Sequence, residues 1–185
     1  MRDRGEAIGL AADQRPLGPH DEHAVYVGQT AVLFEKLPST LVLSIALAAL
    51  LAVFQSGAIP LPRILGWVTA LLVVSGLRLL MTIAYRRDSE RADHVETWDR
   101  RFLVGTIASG LVWGAAGCLL FPADSGSHQV LISICLAGVA CGAIATLGAS
   151  LRAVVVFIVL TLLPVMARWP ASGAEAGWTM GAMVF

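Results

Sequence analysis

Charge is what this chain has little of. Of its 185 residues only 14% are Asp, Glu, Lys or Arg, against about 25% in an ordinary soluble domain. The 13 basic and 13 acidic residues cancel, so there is no basic surplus to draw a nucleic-acid backbone. Lys36 is the single lysine beside 12 arginines. Cysteine is also sparse: Cys118, Cys135 and Cys141 form no CxxC and no Cys/His cluster of metal-ligand spacing. All three lie in apolar segments and read as small buried residues. Asp and Glu are missing from every long apolar run, which argues against the paired intramembrane charges of an ion pathway. Ser109 and Ser133 have no His on a neighbouring run to act as base, and His128 reads as a polar interfacial residue in a loop. No cofactor or metal site is expected in this chain.

What is abundant is apolar sequence. Hydrophobic residues make up 57% of the chain and the mean hydropathy is +0.75, the composition of a polytopic membrane protein. The expected fold class is all-α, a helical bundle with five full transmembrane helices and the start of a sixth, and the lipid bilayer is its first partner. Residues 1–19 mix charge, Gly and Pro without a period and are expected to be a disordered tail. Within 20–37, Val25, Val32, Leu33 and Leu37 recur at helical intervals beside Gln29, Glu35 and Lys36, which predicts an amphipathic helix lying on the membrane surface. His20 and His23 flank Asp21 and Glu22 there, and read as a solvated helix start rather than as ligands.

The membrane domain is expected over 38–185. Its spans fall at about 39–57, 63–85, 102–121, 129–150, 151–167 and 178–185, the last incomplete. Pro38 suits the first turn of the first span, where its missing N–H is unpaired anyway. Trp67, Trp98, Trp169 and Trp178 sit where interfacial anchors belong, whereas Trp113 falls near mid-membrane. Arg78 lies inside the second span, about 12 Å short of Arg86 on a helix, near enough to snorkel to the interface. Residues 86–101 carry five Arg and five acidic residues, with Val95, Trp98 and Phe102 at i, i+3 and i+7, and predict a charged amphipathic helix feeding the third span.

Two GxxxG spacings, Gly110 with Gly114 and Gly138 with Gly142, predict a tight hairpin of the third and fourth spans with the glycine faces together. Trp113 then either packs across the groove left by Gly110 and Gly114 or lines a pocket for a small apolar or aromatic signal. Lys and Arg set direction in the membrane. An N-terminus in the cytoplasm puts ten of them on that side, against Arg63 and Arg168 outside. The expected orientation is therefore one with the N-terminus cytoplasmic.

The run W-x3-F-x2-G-x4-G-x2-W-G, from Trp98 through Phe102, Gly105, Gly110 and Trp113 to Gly114, carries a family likeness. With Gln29, Leu33, Leu37-Pro38, Arg78, Tyr85, Phe121-Pro122, Gly138 and Leu163-Pro164, it resembles the N-terminal membrane region of bacterial diguanylate cyclases. Similar regions precede EAL phosphodiesterase domains and the kinase core of hybrid histidine kinases. The resemblance implies a sensory or anchoring module of a bacterial inner membrane, with Trp113, Arg78 and Trp98 as candidates for a signal pocket or relay. It also implies homodimerisation through a parent protein. Mg²⁺ and GTP would belong to a cyclase domain beyond Phe185, because no GGDEF, GGEEF or EAL sequence occurs in the chain. A hybrid histidine kinase input domain and a self-contained assembly subunit or transporter stay open as alternatives.

Overall fold

The computed structural model describes residues 19–122 and 125–171, with side chains described over 23–122 and 125–167. Among the described residues five helices follow one another: α1 (Pro19–Gln55), α2 (Leu61–Arg87), α3 (Val95–Leu119), α4 (Gly126–Leu147) and α5 (Leu151–Ala171). No strand occurs among the described residues. The first four helices are long and apolar enough to cross a membrane, and α5 is a shorter apolar helix. Of the tail expected over 1–19, Pro19 begins α1 and the rest lies outside the described residues, as does the incomplete span expected at 178–185.

Two of the expected boundaries are corrected. The surface helix and the first span are one element: α1 runs for 37 residues with Pro38 in its interior, not in its first turn. Proline removes one intrahelical donor at that point. The hydroxyls of Ser39 and Thr40 both donate to the Lys36 carbonyl, at 2.8 and 2.9 Å, and the helix continues. At about 1.5 Å per residue α1 is about 55 Å long, well beyond a ~30 Å hydrocarbon layer, so its first turns project past any membrane it crosses. The charged stretch 86–101 is likewise not one helix. Its first two residues end α2 and Asp88 caps that helix in extended geometry, its N–H bonding Ala84 and Tyr85 carbonyls. Turns carry the chain to His94, and α3 starts at Val95.

Each helix buries one stripe. On α2 it is Ile64, Trp67, Leu71, Ser75, Arg78, Thr82 and Tyr85, steps of three and four that keep one face inward. On α4 the same spacing runs through Gln129, Ile132, Leu136, Ala140, Ala143 and Leu147. The outward faces are equally apolar: Val42, Val53, Leu65, Leu80, Val104 and Ile134 are all exposed. A helix apolar all round needs a nonaqueous surrounding, which is the structural counterpart of the hydropathy.

The expected glycine-to-glycine hairpin of α3 and α4 does not form. The glycine face of α3 packs on α5, its most intimate neighbour, while α3 and α4 touch only lightly. A Cβ on Gly114 would collide with the Leu160 carbonyl oxygen, and one on Gly110 would come within 3.1 Å of Leu160 Cβ. Gly138 and Gly142 of α4 have nothing within 4 Å of a built Cβ. The reason is angular: residues four apart share one helix face, and on α3 that face points at α5, while the flank next to it carries Trp113 to Ser44 of α1 and Trp67 of α2.

Candidate functional site

The α2 stripe brings Arg78 to the middle of the bundle. It is buried, 6% exposed, and does not snorkel. Its Nη1 donates to Ser109 Oγ at 3.1 Å and its Nη2 to Thr106 Oγ1 at 3.3 Å. The Phe102 ring centroid lies 5.3 Å from the guanidinium carbon, within cation–π range. Gly105 makes room for this: a Cβ there would sit 3.3 Å from Arg78 Cγ. The four α3 positions 102, 105, 106 and 109 follow helical spacing, so one face of α3 holds the whole side chain. Thr106 in turn donates to the Phe102 carbonyl at 3.0 Å, which orients its lone pairs toward the arginine.

Arg78 and Ser109 border a partly open cavity of about 90 Å³ lined by residues of all five helices. Its walls include Ser44 and Leu47 of α1, Leu71 and Ser75 of α2, Val112 and Trp113 of α3, Gly138 and Gly142 of α4, and Phe157 of α5. No carboxylate is among the lining residues. Among the described residues the one ion pair joins His94 and Asp88, neither of which lines the cavity.

Trp113 lines the cavity and is 2% exposed. Its indole N–H donates to Ser44 Oγ at 3.1 Å, and its ring meets Trp67 edge to face, centroids 5.5 Å apart. It does not fill the Gly110–Gly114 groove, which Leu160 and Pro164 occupy. Trp67, expected as an interfacial anchor, is also buried and donates its N–H to the Val112 carbonyl at 2.7 Å. A buried indole needs such a partner, and a hydropathy profile cannot show one.

Trp98 is not in the cavity. It closes an aromatic cluster at the end of the bundle where α2 passes into α3. Phe34 stacks on Tyr85 and meets Trp98 and Phe102 edge to face. Trp98 Nε1 donates to Asp88 Oδ2 at 2.9 Å, and Arg101 lies over the indole, 4.8 Å from its ring. The Trp98 indole, ahead of the Glu90 N–H and His94, holds the Asp88 carboxyl below the usual carboxylate range. Trp98, expected as an interfacial anchor, is buried, 5% exposed.

The structure thus gathers Arg78, Trp113, Gly138 and Gly142 around one cavity and separates Trp98, Gly110 and Gly114 from it. Sequence reasoning missed Ser44, Ser75 and Ser109 as its polar lining, and missed Phe34 as the hub of the cluster. Ser109 alone had a signal, its helical register with Arg78's other α3 partners. It missed two buried glutamines as well. Gln55 donates to the Leu120 carbonyl at 3.0 Å and Gln129 to the Pro122 carbonyl at 2.8 Å, pinning the α3–α4 connection. His128 is in the first turn of α4, not in a loop, within 2.7 Å of Ser125 Oγ. Of the cysteines, Cys118 and Cys141 are exposed and Cys135 is half-buried, so the expectation of three buried residues is corrected. The side chains of His20, Asp21, Glu22, Arg168, Trp169 and Trp178 lie outside the described residues.

No protein-family model, no curated protein and no solved structure matches this chain.

Proposed function

We propose that this chain is the membrane sensory module of a bacterial signalling protein, with the cavity between its helices as the input site. The observation that carries the reading is the cavity's composition: an arginine held by neutral hydroxyls, a tryptophan with a fixed indole N–H, and apolar walls. A residue that served only to pack a bundle would not need a charge. On insertion scales an arginine at mid-membrane costs about 3 kcal/mol, and apolar side chains would fill the space more cheaply. Ionisable groups inside a membrane domain mark functional sites for this reason.

In this reading α5 is a fifth span, the N-terminus and the turn at 88–94 face the cytoplasm of an inner membrane, and an output unit receives the signal. The likeness around Trp98 to Gly114 supports a cyclic-di-GMP synthesising domain as that unit, paired as a homodimer. Helices α2 and α3 carry both the Arg78 site and, at their joined ends, the Trp98–Asp88 contact. A ligand that shifts Arg78 against Thr106 and Ser109 moves α2 relative to α3, and the joined ends deliver that movement to the cytoplasmic side.

The test has two parts. Reading the coding sequence past Phe185 should reveal a GGDEF-type motif; a stop codon there would remove the cyclase assignment. Trp113→Ala should change the signal response while protein level and topology stay at wild-type values. A fall in protein level alone would make Trp113 a packing residue and sink the input site.

A further inference from the structure

The cavity taken above as the input site of a sensory module has a single charged group on its walls. A guanidinium offers five N–H donors; Ser109 and Thr106 accept one each. Both acceptors are neutral, so they satisfy hydrogens without cancelling charge. Ser109 borders the cavity and Thr106 does not, which places the guanidinium at the wall with Thr106 behind it. Opposite in composition, Leu71, Val74, Val112 and Trp113 give the cavity an apolar surface.

We infer that the cavity binds a small organic monoanion: a carboxylate with a short apolar tail, its head on Arg78 and Ser109 and its tail against Leu71 and Trp113. Each part of that description answers to a feature of the site. An arginine fork matches the two oxygens of a carboxylate. One fixed positive charge balances one negative charge, so a dianion would leave a buried charge uncompensated. The volume of about 90 Å³ is below the roughly 150 Å³ that accommodates benzene in an engineered apolar cavity, which suits a tail of a few carbon atoms. An inorganic monoanion would occupy the polar end and leave the apolar walls without contacts. The glycines support the same assignment. Gly138 and Gly142 line the cavity, and a Cβ on either would meet nothing within 4 Å. Gly138 is exposed and Gly142 half-buried, so the two glycines stand at the open side of the cavity, and no close helix packing requires them.

The experiment uses the chain reconstituted in phosphatidylcholine nanodiscs, with butyrate as the probe and saturation-transfer NMR as the readout. Butyramide, nitrate and inorganic phosphate are run beside it at constant ionic strength. Butyrate should saturate, and Arg78→Gln should weaken it by at least about tenfold. Gly142→Leu should weaken it equally, because it adds a side chain at the cavity wall while keeping Arg78. Replacing a helical glycine also favours the helix, so this variant folds even if Arg78→Gln does not. Butyramide and phosphate should show no saturable binding, and nitrate should bind more weakly than butyrate.

Absence of butyrate saturation, wild-type affinity in Gly142→Leu, or nitrate or phosphate binding as well as butyrate would each overturn the assignment. The sensory reading survives such a failure if Trp113→Ala still alters the signal response. Butyrate binding that fits every expectation but leaves signal output unchanged supports the ligand class and overturns the sensory role.

Discussion

Phe34 lies flat against Tyr85, the ring centroids 4.1 Å apart and the planes within 8°. This contact ties the projecting part of α1 to the end of α2, and Trp98 and Phe102 of α3 close on the same ring from its edges. Three helices therefore share one aromatic hub. Phe34→Ala should destabilise the bundle by about 3–5 kcal/mol, the cost of deleting a fully buried phenyl ring, and Phe34→Leu by less. Thermal unfolding in detergent micelles measures both. Equal midpoints for wild type and Phe34→Ala would show that the hub contributes nothing.

The two GxxxG pairs should respond in opposite ways. Gly114→Ala forces a methyl group onto the Leu160 carbonyl oxygen, and overpacking of this kind costs about 1–3 kcal/mol. Gly138→Ala adds the same methyl group where nothing lies within 4 Å, and should be neutral or stabilise by about 0.5–1 kcal/mol through helix propensity. Unfolding midpoints of the two variants in the same micelle decide it; a destabilised Gly138→Ala would return α4 to a glycine-packed hairpin.

Acid should loosen the α2–α3 turn. The Asp88 carboxyl is held low, first by the Trp98 indole N–H. An unperturbed Asp titrates near about 3.9. A depressed folded-state value means that the stabilisation is present above that pH and is lost as pH falls through the lower value. Asp88→Asn should flatten this acid limb of the unfolding midpoint against pH. Trp98→Phe, which removes the first cause, should move the carboxyl titration up toward the ordinary value in a side-chain NMR titration. An unmoved titration in Trp98→Phe would mean that the indole contact at 2.9 Å does not hold the charge.

Orientation can be read with a periplasm-active reporter. Fused after Ser125, between α3 and α4, it should be active; fused after Ser89, in the turn between α2 and α3, it should be silent. The reverse pattern would invert the proposed topology.

The sequence by itself determined the helices and their setting. Long uncharged runs interrupted by Arg clusters can satisfy backbone hydrogen bonds in lipid only as helices, so the approximate spans and the tight Pro-rich turn at 58–62 were legible without coordinates. One register was legible too: Val95, Trp98 and Phe102 recur at i, i+3 and i+7, and all three lie on the buried side of α3. What only the tertiary structure decided was which stripes meet. In an all-apolar bundle every face is equally greasy, and hydropathy cannot say whether Gly110 and Gly114 look toward α4 or α5. Arg78 was within snorkelling distance of the interface by helix rise, and only the hydroxyls of Thr106 and Ser109, with the space left by Gly105, explain why it stays buried. Pro38 could start a helix or sit within one; the hydroxyls of Ser39 and Thr40, bonded to Lys36, accompany the second outcome. The cavity belongs to no segment of the chain. It exists because five helices leave Gly138 and Gly142 facing Trp113 and Arg78, a packing relation set by distances between residues far apart in sequence.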